Sequence, residues 1–329
     1  MARAQRRTSA FEFSVIIPSY GGRDTVEWCL EGLAGQEGSI PFEVIVVESG
    51  EAGYVDALAE RFEWARFVIS PERLYSGQAR NVGAGFAAGE TLIFLDADCR
   101  PLPGWLAAFK AGRDRGFGVV SGSLANGNPE SGVGTAEYLV SHSSYSPAMG
   151  PRVITDSTAA SGNLLVLRRV FDDKGGFAGT MRANDFLFSR KLHESGERIL
   201  FWPQAAALHL DNIGFRDYVS GQVARGRWNG MARLEHGLAG SAAGRFPPLA
   251  FLLFPVRLYR LVRRCLEHGI VPAGELALRM PSVAAGVLAW TWGFFEATLR
   301  MKKGGLEERD PLPVGWAEYT VVSAGGDGR

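Results

Sequence analysis

The apolar run Thr91-Leu-Ile-Phe-Leu95 leads straight into Asp96-Ala97-Asp98. A strand alternates its side chains between two faces, so both carboxylates leave it on the same side. At the C-terminal edge of a parallel strand, that side opens on the crevice where open α/β sheets bind ligands. Carboxylates this close repel each other unless a cation is near, and their hard oxygens suit Mg²⁺ or Mn²⁺ bridging to a pyrophosphate. The pair predicts a divalent-cation and nucleotide site; the competing reading of such a triplet is a solvated turn.

Other chemistries find no support. The chain has no G-x-x-x-x-G-K-[ST] phosphate loop and no G-x-S-x-G elbow. Gly83, Gly85 and Gly89 have the wrong spacing for a dinucleotide fingerprint and precede a strand instead of following one. The five histidines show no paired metal spacing.

The elements that must position Asp96 and Asp98 are legible around them. Phe13–Ile17, Phe42–Val47, Arg66–Ile69 and Thr91–Leu95 are near-continuous in Val, Ile, Leu and Phe, as strands buried on both faces require. The intervals can hold helices. Val26, Cys29, Leu30 and Leu33 recur at helical spacing after Asp24, as do Val55, Leu58, Ala59 and Phe62 farther on. This rhythm predicts a parallel α/β sheet. Ser121–Pro151, rich in Gly, Ser, Asn and Pro, reads as an irregular segment over a cleft. Patterning resumes at Ala160–Leu167, in a helix over Asn184–His193, and at Ile199–Trp202.

The 329 residues, 46% hydrophobic and 21% charged, suffice for a large core and exclude a disordered or disulfide-knotted chain. Lys plus Arg equal Asp plus Glu at 35 each, so no global charge draws the molecule to nucleic acid. Cys29, Cys99 and Cys265 stand far apart, which favours free thiols and a cytoplasmic setting. The basic N-terminus lacks the apolar stretch of a secretory signal.

Near the C-terminus, Met280–Phe295 is free of charge, but as a helix it spans about 24 Å against a hydrocarbon core of roughly 30 Å. A full crossing is disfavoured. After the apolar Phe246–Val256, residues Leu258, Leu261, Val262 and Cys265 follow i, i+3, i+4, i+7 spacing, while Arg257, Arg260, Arg263 and Arg264 crowd the other side. That pattern predicts a membrane surface through residues 246–300, with packing on the catalytic domain or a second subunit as the alternative. The expected organisation is a basic tail (1–12), a catalytic domain (13–240, with nucleotide-binding and acceptor-binding halves at 13–120 and 121–240), a helical region (241–305) and a tail (306–329).

Four motifs occur in register: Ser14-Val-Ile-Ile-Pro-Ser-Tyr20, Glu43-Val-Ile-Val-Val-Glu-Ser-Gly50, Gly77-Gln-Ala-Arg-Asn-Val-Gly83 and Leu92-Ile-Phe-Leu-Asp-Ala-Asp98. In order and spacing they resemble the family 2 glycosyltransferases over roughly Phe13 to Gly230. The resemblance implies a GT-A fold, with a mainly parallel central sheet flanked by helices and a C-terminal helical region beyond it. It also implies an inverting transfer of one sugar from a nucleotide diphosphate sugar to a hydroxyl acceptor, glycan or lipid-linked, with Mn²⁺ or Mg²⁺.

Carried over by motif, Pro18 and Tyr20 line the base and ribose, and Glu48 contacts the nucleotide. Ser49 stands where the family commonly has a second acid. Arg80 lies near the base or diphosphate, Asp96 near the ribose or metal, and Asp98 on the metal. Asp185 in Met181-Arg-Ala-Asn-Asp-Phe-Leu matches the catalytic base, with Asn184 replacing the usual first acid. Gly162 and Asn163 are candidates for the sugar or acceptor pocket, and His209 for a third metal ligand. Asn81 is a candidate helix cap. Gln222 stands two places too early for the processive Q-x-x-R-W pattern, leaving Arg225 and Arg227 as candidate diphosphate contacts. A noncatalytic scaffold and a sugar nucleotidyltransferase are the competing readings; Gly21-Gly22-Arg23 is too short for the latter's phosphate loop. The resulting expectation is a peripheral enzyme at the inner membrane face, with an oligomer compatible.

Overall fold

Val15, Ile16 and Ile17 are wholly buried on β1 (Phe13–Ser19), an inner strand with a parallel neighbour on each side: β2 (Phe42–Glu48) and β4 (Thr91–Leu95). Beyond β2 runs β3 (Ala65–Ile69), also parallel. The computed structural model of the chain describes residues 10–36, 40–155, 158–179, 184–211, 214–238, 240–244, 246–301 and 319–323. Helices α1 (Arg23–Ala34), α2 (Val55–Arg61) and α3 (Ser76–Phe86) make the crossovers that parallel strands require.

After β4 the direction changes. The chain continues through β5 (Cys99–Pro101), α4 (Trp105–Arg113) and β6 (Val119–Asn126), then α5 (Gly132–Ser141), β7 (Arg152–Ile154), β8 (Asn163–Leu167), α6 (Arg168–Asp173), α7 (Asn184–Glu194) and β9 (Ile199–His209). β8 runs antiparallel to both β4 and β6, and β7 antiparallel to β9. The sheet is therefore parallel through β4 and mixed beyond it. Its order is β10-β3-β2-β1-β4-β8-β6-β9-β5, where β10 (Thr320–Val322) is an antiparallel edge strand on β3. The segment expected as a tail thus contributes a strand, its Val321 packing beside Tyr319 on the β2–β3 core.

Asn163 is wholly buried where these strands meet. Its Oδ1 accepts from Trp105 Nε1 at 2.9 Å, and its Nδ2 donates to the carbonyls of Ser123 and Ala205, each at 2.8 Å. A buried amide with its polar atoms matched in this way fixes strand placement. Asn163 is thereby a structural lock, in contrast to its expected place in a sugar pocket.

The chain divides into two compact units, Met1–Ser123 with Pro151–Ala207 and Arg309–Arg329, and Leu124–Gly150 with Leu208–Glu308. The second unit is helical: α5, α8 (Phe215–Glu235), two 3-10 segments (Ser241–Gly244 and Pro247–Leu252), α9 (Leu253–His268) and α10 (Ala273–Met301). Helices α8 and α10 approach so closely that a Cβ at Gly226 would collide with the Trp290 carbonyl, and one at Gly293 with the Val223 carbonyl. The irregular segment expected over 121–151 contains the end of β6 and all of α5. Ser131 Oγ caps α5 by accepting from Gly134 N at 3.0 Å, and Ala136, Tyr138 and Leu139 pack beside Tyr218, Val283 and Val287. No described helix is long and apolar enough to cross a membrane.

Candidate functional site

The β4 strand delivers its two carboxylates into a tight turn. Asp96 N–H donates to the Gly162 carbonyl at 3.1 Å, and Cys99 N–H closes back on the Asp96 carbonyl at 3.0 Å. Gly162 has to be small: a Cβ there would stand 2.5 Å from Asp96 Oδ2. Asp98, two residues on, is partly exposed.

Beneath this turn lies Arg80, contributed by α3 and only 3% exposed. Its Nη2 donates to Asp96 Oδ1 at 2.5 Å, and its Nη1 stands 3.8 Å from Asp185 Oδ1. Phe177 flattens against the guanidinium, 5.3 Å from ring centroid to Cζ. Burial works to lower the Arg80 pKa, but Asp96, Asp185 and Asp98 outweigh it and raise it. Asp185 is the second residue of α7; Ser161 Oγ donates to its Oδ1, and its side chain keeps 42% of its surface. Asn184, just before it, is buried and donates to Ser76 Oγ at 3.0 Å, tying α7 to the start of α3.

A second group lies at the ends of β1 and β2. Tyr20, Gly21, Ser49, Gly50, Glu51 and Arg73 line a depression of about 450 Å³. Tyr20 is 57% exposed, and Arg73 stacks on its ring with Cζ 4.3 Å from the centroid. Pro18 is partly buried within β1, opposite Val47. Glu48 lies underneath and is wholly buried. Its Oε1 accepts from Gly21 N at 2.9 Å and Gly50 N at 2.6 Å; its Oε2 accepts from Ser19 Oγ at 2.6 Å and from Tyr54. Glu48 therefore fixes the loops that shape the depression. Burial, then Glu48, push the Tyr54 phenol well up, keeping it a donor.

His209 sits in the second unit. Its Nδ1 is 3.4 Å from Asp211 Oδ1, the same oxygen that His142 Nε2 approaches at 3.4 Å, and the imidazole centroids are 4.2 Å apart. The ligand atoms of His142, His209 and Asp211 lie within 4.8 Å of one another, a donor set able to hold a divalent ion. Arg225 and Arg227 are engaged elsewhere, Arg225 with Glu137 and Ser141 and Arg227 with Glu296. Their expected role at a diphosphate gives way to salt bridges between helices of this unit. Asn81, expected as a cap, lies inside α3 and clamps the Phe177 backbone through two 2.9 Å hydrogen bonds.

The Glycosyl transferase family 2 profile matches residues 14–175, which hold the β1, β2, α3 and β4 motifs and Gly162. Residues 14–175 belong to glycosyltransferase family 2. Among curated proteins, the chain is 28% identical over 217 residues to glycosyltransferase AglE of Haloferax volcanii, covering 61% of the present chain and 68% of the relative. Two solved structures share its GT-A fold. One is the mannosyltransferase PcManGT of Pyrobaculum calidifontis in complex with GDP-Man and Mn²⁺ (TM-score 0.55, 19% identity, 88% of this chain and 86% of that one). The other is S. aureus TarS 1–349 with UDP-GlcNAc (TM-score 0.50, 17% identity, 96% and 98%).

Of the residues this glycosyltransferase was expected to use, Arg80, Asp96, Gly162 and Asp185 come together, while Tyr20 lines the depression above Glu48. Arg73, Ser161, His142 and Asp211 were not singled out. Ser161 was within reach, since it directly precedes Gly162 and Asn163, but the others depend on contacts far apart in sequence. A divalent cation fits the first unit's donor set. Asp96, Asp98 and Asp185 all act on one buried guanidinium, which leaves negative charge in excess and offers hard oxygens.

Proposed function

We propose that this glycosyltransferase is an inverting, divalent-metal-dependent enzyme that moves one sugar from a nucleoside diphosphate donor to a hydroxyl of a glycan or glycolipid acceptor. The observation that carries the reading is the Asp96–Arg80–Asp185 network, which puts the donor-side acid and the acceptor-side acid on one guanidinium. Donors of this class occupy both structural relatives, GDP-Man with Mn²⁺ in PcManGT and UDP-GlcNAc in TarS.

Each residue then has a task. The base and ribose rest near Tyr20 and Arg73, on loops held by Glu48. Asp98 would hold the Mn²⁺ or Mg²⁺ ion, which when bound supplies electrostatic stabilisation of the departing nucleoside diphosphate. Asp185 accepts the proton from the acceptor hydroxyl as that oxygen bonds to the anomeric carbon. The bond from that carbon to the diphosphate breaks on the opposite face, its electron pair leaving with the diphosphate, so the configuration inverts. Ser161 and Arg80 hold the Asp185 carboxylate, while its exposed surface admits the acceptor. The three buried cysteines, none of them in a disulfide, suit a reducing, cytoplasmic compartment.

The test is nucleoside diphosphate release from a panel of nucleotide sugars with and without Mn²⁺. Asp98→Ala should abolish the metal-dependent release, and Asp185→Asn should keep donor binding while losing turnover. Release undiminished by Asp98→Ala rejects the site. A noncatalytic scaffold would show no turnover for either variant to remove.

A further inference from the structure

The apolar stripe expected to meet a membrane is already covered. Leu261 and Cys265 are buried, and Leu258 and Val262 pack with them against the cluster that holds Tyr138, Leu139, Tyr218, Val283 and Val287. A different face of the same helix remains outside. Val256, Tyr259 and Leu266 are exposed large apolar residues spaced i, i+3, i+10, so with Leu252 at the end of the preceding 3-10 segment they form one stripe along α9, interrupted by the exposed Arg263–Glu267 ion pair. Phe251 in the preceding 3-10 segment is also exposed, and its ring meets Trp292 at 6.4 Å and Phe295 at 5.2 Å. Through this contact the stripe continues onto α10, where Leu288, Trp292 and Leu299 point outward at i, i+4, i+11. An apolar band over two helices is more than scattered exposure, and aromatic residues with polar edges favour an interface between water and hydrocarbon.

Along one edge of the stripe stand Arg260 and Arg264, at i, i+4, while Arg257 lies farther in and is partly buried. None forms an ion pair with a described carboxylate; Arg264 Nη1 donates to Ser143 Oγ at 2.9 Å, and Arg257 lies over Trp290 with Cζ 3.7 Å from the centroid. Arg257 Nε has no hydrogen-bond partner among the described residues. Burial, then Arg233, Arg264 and Arg260, push Arg257 down to about 10.

We propose that the exposed face of α9 and α10 seats this enzyme on an anionic phospholipid surface, with Leu252, Val256, Tyr259, Leu266 and Trp292 entering the interface and Arg260 and Arg264 meeting lipid phosphates. Apolar side chains bordered by guanidinium groups match a surface whose hydrocarbon is bordered by phosphate. A second copy fits less well, because a two-fold contact through this face brings like arginines together. The inference goes beyond the sugar transfer and uses none of its residues.

The full chain is mixed with vesicles of phosphatidylcholine alone or blended with phosphatidylglycerol, and sedimented at low and high salt. Binding should need the anionic lipid and fall with salt. Arg260→Ala should weaken it about five-fold, the equivalent of one basic residue near the surface. Val256→Ser/Tyr259→Ser/Leu266→Ser should abolish it while nucleotide-sugar hydrolysis and the far-ultraviolet spectrum stay unchanged. Brominated phosphatidylcholine in the blend should quench fluorescence that Trp292→Phe lacks. Absence of binding, equal binding to neutral vesicles, or binding indifferent to these substitutions overturns the proposal. So does lipid-independent self-association, or retention by an acidic peptide in place of vesicles, that the triple variant removes.

Discussion

The Nη1 of Arg80 stands 3.8 Å from the carboxylate of Asp185 while its Nη2 is committed to Asp96 at 2.5 Å. A rigid planar fork can serve two acids at once; a lysine ammonium is a point charge. Arg80→Lys should therefore bind donor but misplace Asp185, lowering kcat about 100-fold with a smaller change in donor affinity. Arg80→Met leaves two acids without their shared cation. Because Asp96 is a third exposed, the stability loss should be about 2 kcal/mol, below that of a fully buried pair. Steady-state kinetics and urea unfolding separate the two effects.

Gly162→Ala should disable donor binding without unfolding the chain. Its methyl group would push on Asp96 Oδ2, moving the oxygen pair around which the donor and its cation are expected to assemble. Gly53→Ala, where an added Cβ meets nothing within 4 Å, is the matched control and should leave donor affinity unchanged. Calorimetric titration with nucleotide sugar reads the difference.

Stability should decline as acid is added, starting near neutral pH. Burial, then His209, lower the His142 pKa in the folded chain, against a weaker upward pull from Asp211. A histidine with a depressed folded pKa contributes fully above its unfolded value of about 6.5, and that contribution is lost as pH falls toward the folded value. Thermal unfolding with chelator present, run between pH 7.5 and 5, should show a falling midpoint that flattens in His142→Gln. A midpoint rising with acid would contradict this arrangement.

The crossing of α8 and α10 tolerates no added carbon. Gly226→Ala sets a methyl against the Trp290 carbonyl, and overpacking of this kind costs about 1–3 kcal/mol. Gly237→Ala, on the loop after α8 where an added Cβ would meet nothing, is strained through its φ of +64° instead. The first substitution should therefore separate the helices in hydrogen exchange, and the second should affect only its own turn.

Legibility in the sequence followed the range of the forces involved. The strands β1, β2 and β4 were readable because burial on both faces demands continuous Val, Ile, Leu and Phe, a local pattern. The Asp96–Asp98 pair and Asp185 were readable as motifs. Helix α5 was not, since Gly132 and Gly134 mask it and its apolar residues are organised by Tyr218, Val283 and Val287. Composition could not reveal that Glu48 faces inward, because that depends on Gly21, Gly50, Ser19 and Tyr54 converging on one carboxylate. Asn163 was read as a ligand contact for the same reason: a polar residue beside a glycine looks functional until Trp105 is found donating to it. On α9 the helical period was legible, but which of its apolar faces is covered was decided by α5, α8 and α10.

The antiparallel pairing of Thr320 with Ile69 joins one of the earliest strands made to one of the last. During synthesis the outer side of β3 stays bare until residue 322 leaves the ribosome, so the nascent chain must shelter a sticky hydrogen-bonding edge for most of its translation. Ribosome-bound chains halted before Tyr319 should draw more chaperone than the full sequence held on the ribosome by an appended flexible linker of a few dozen residues.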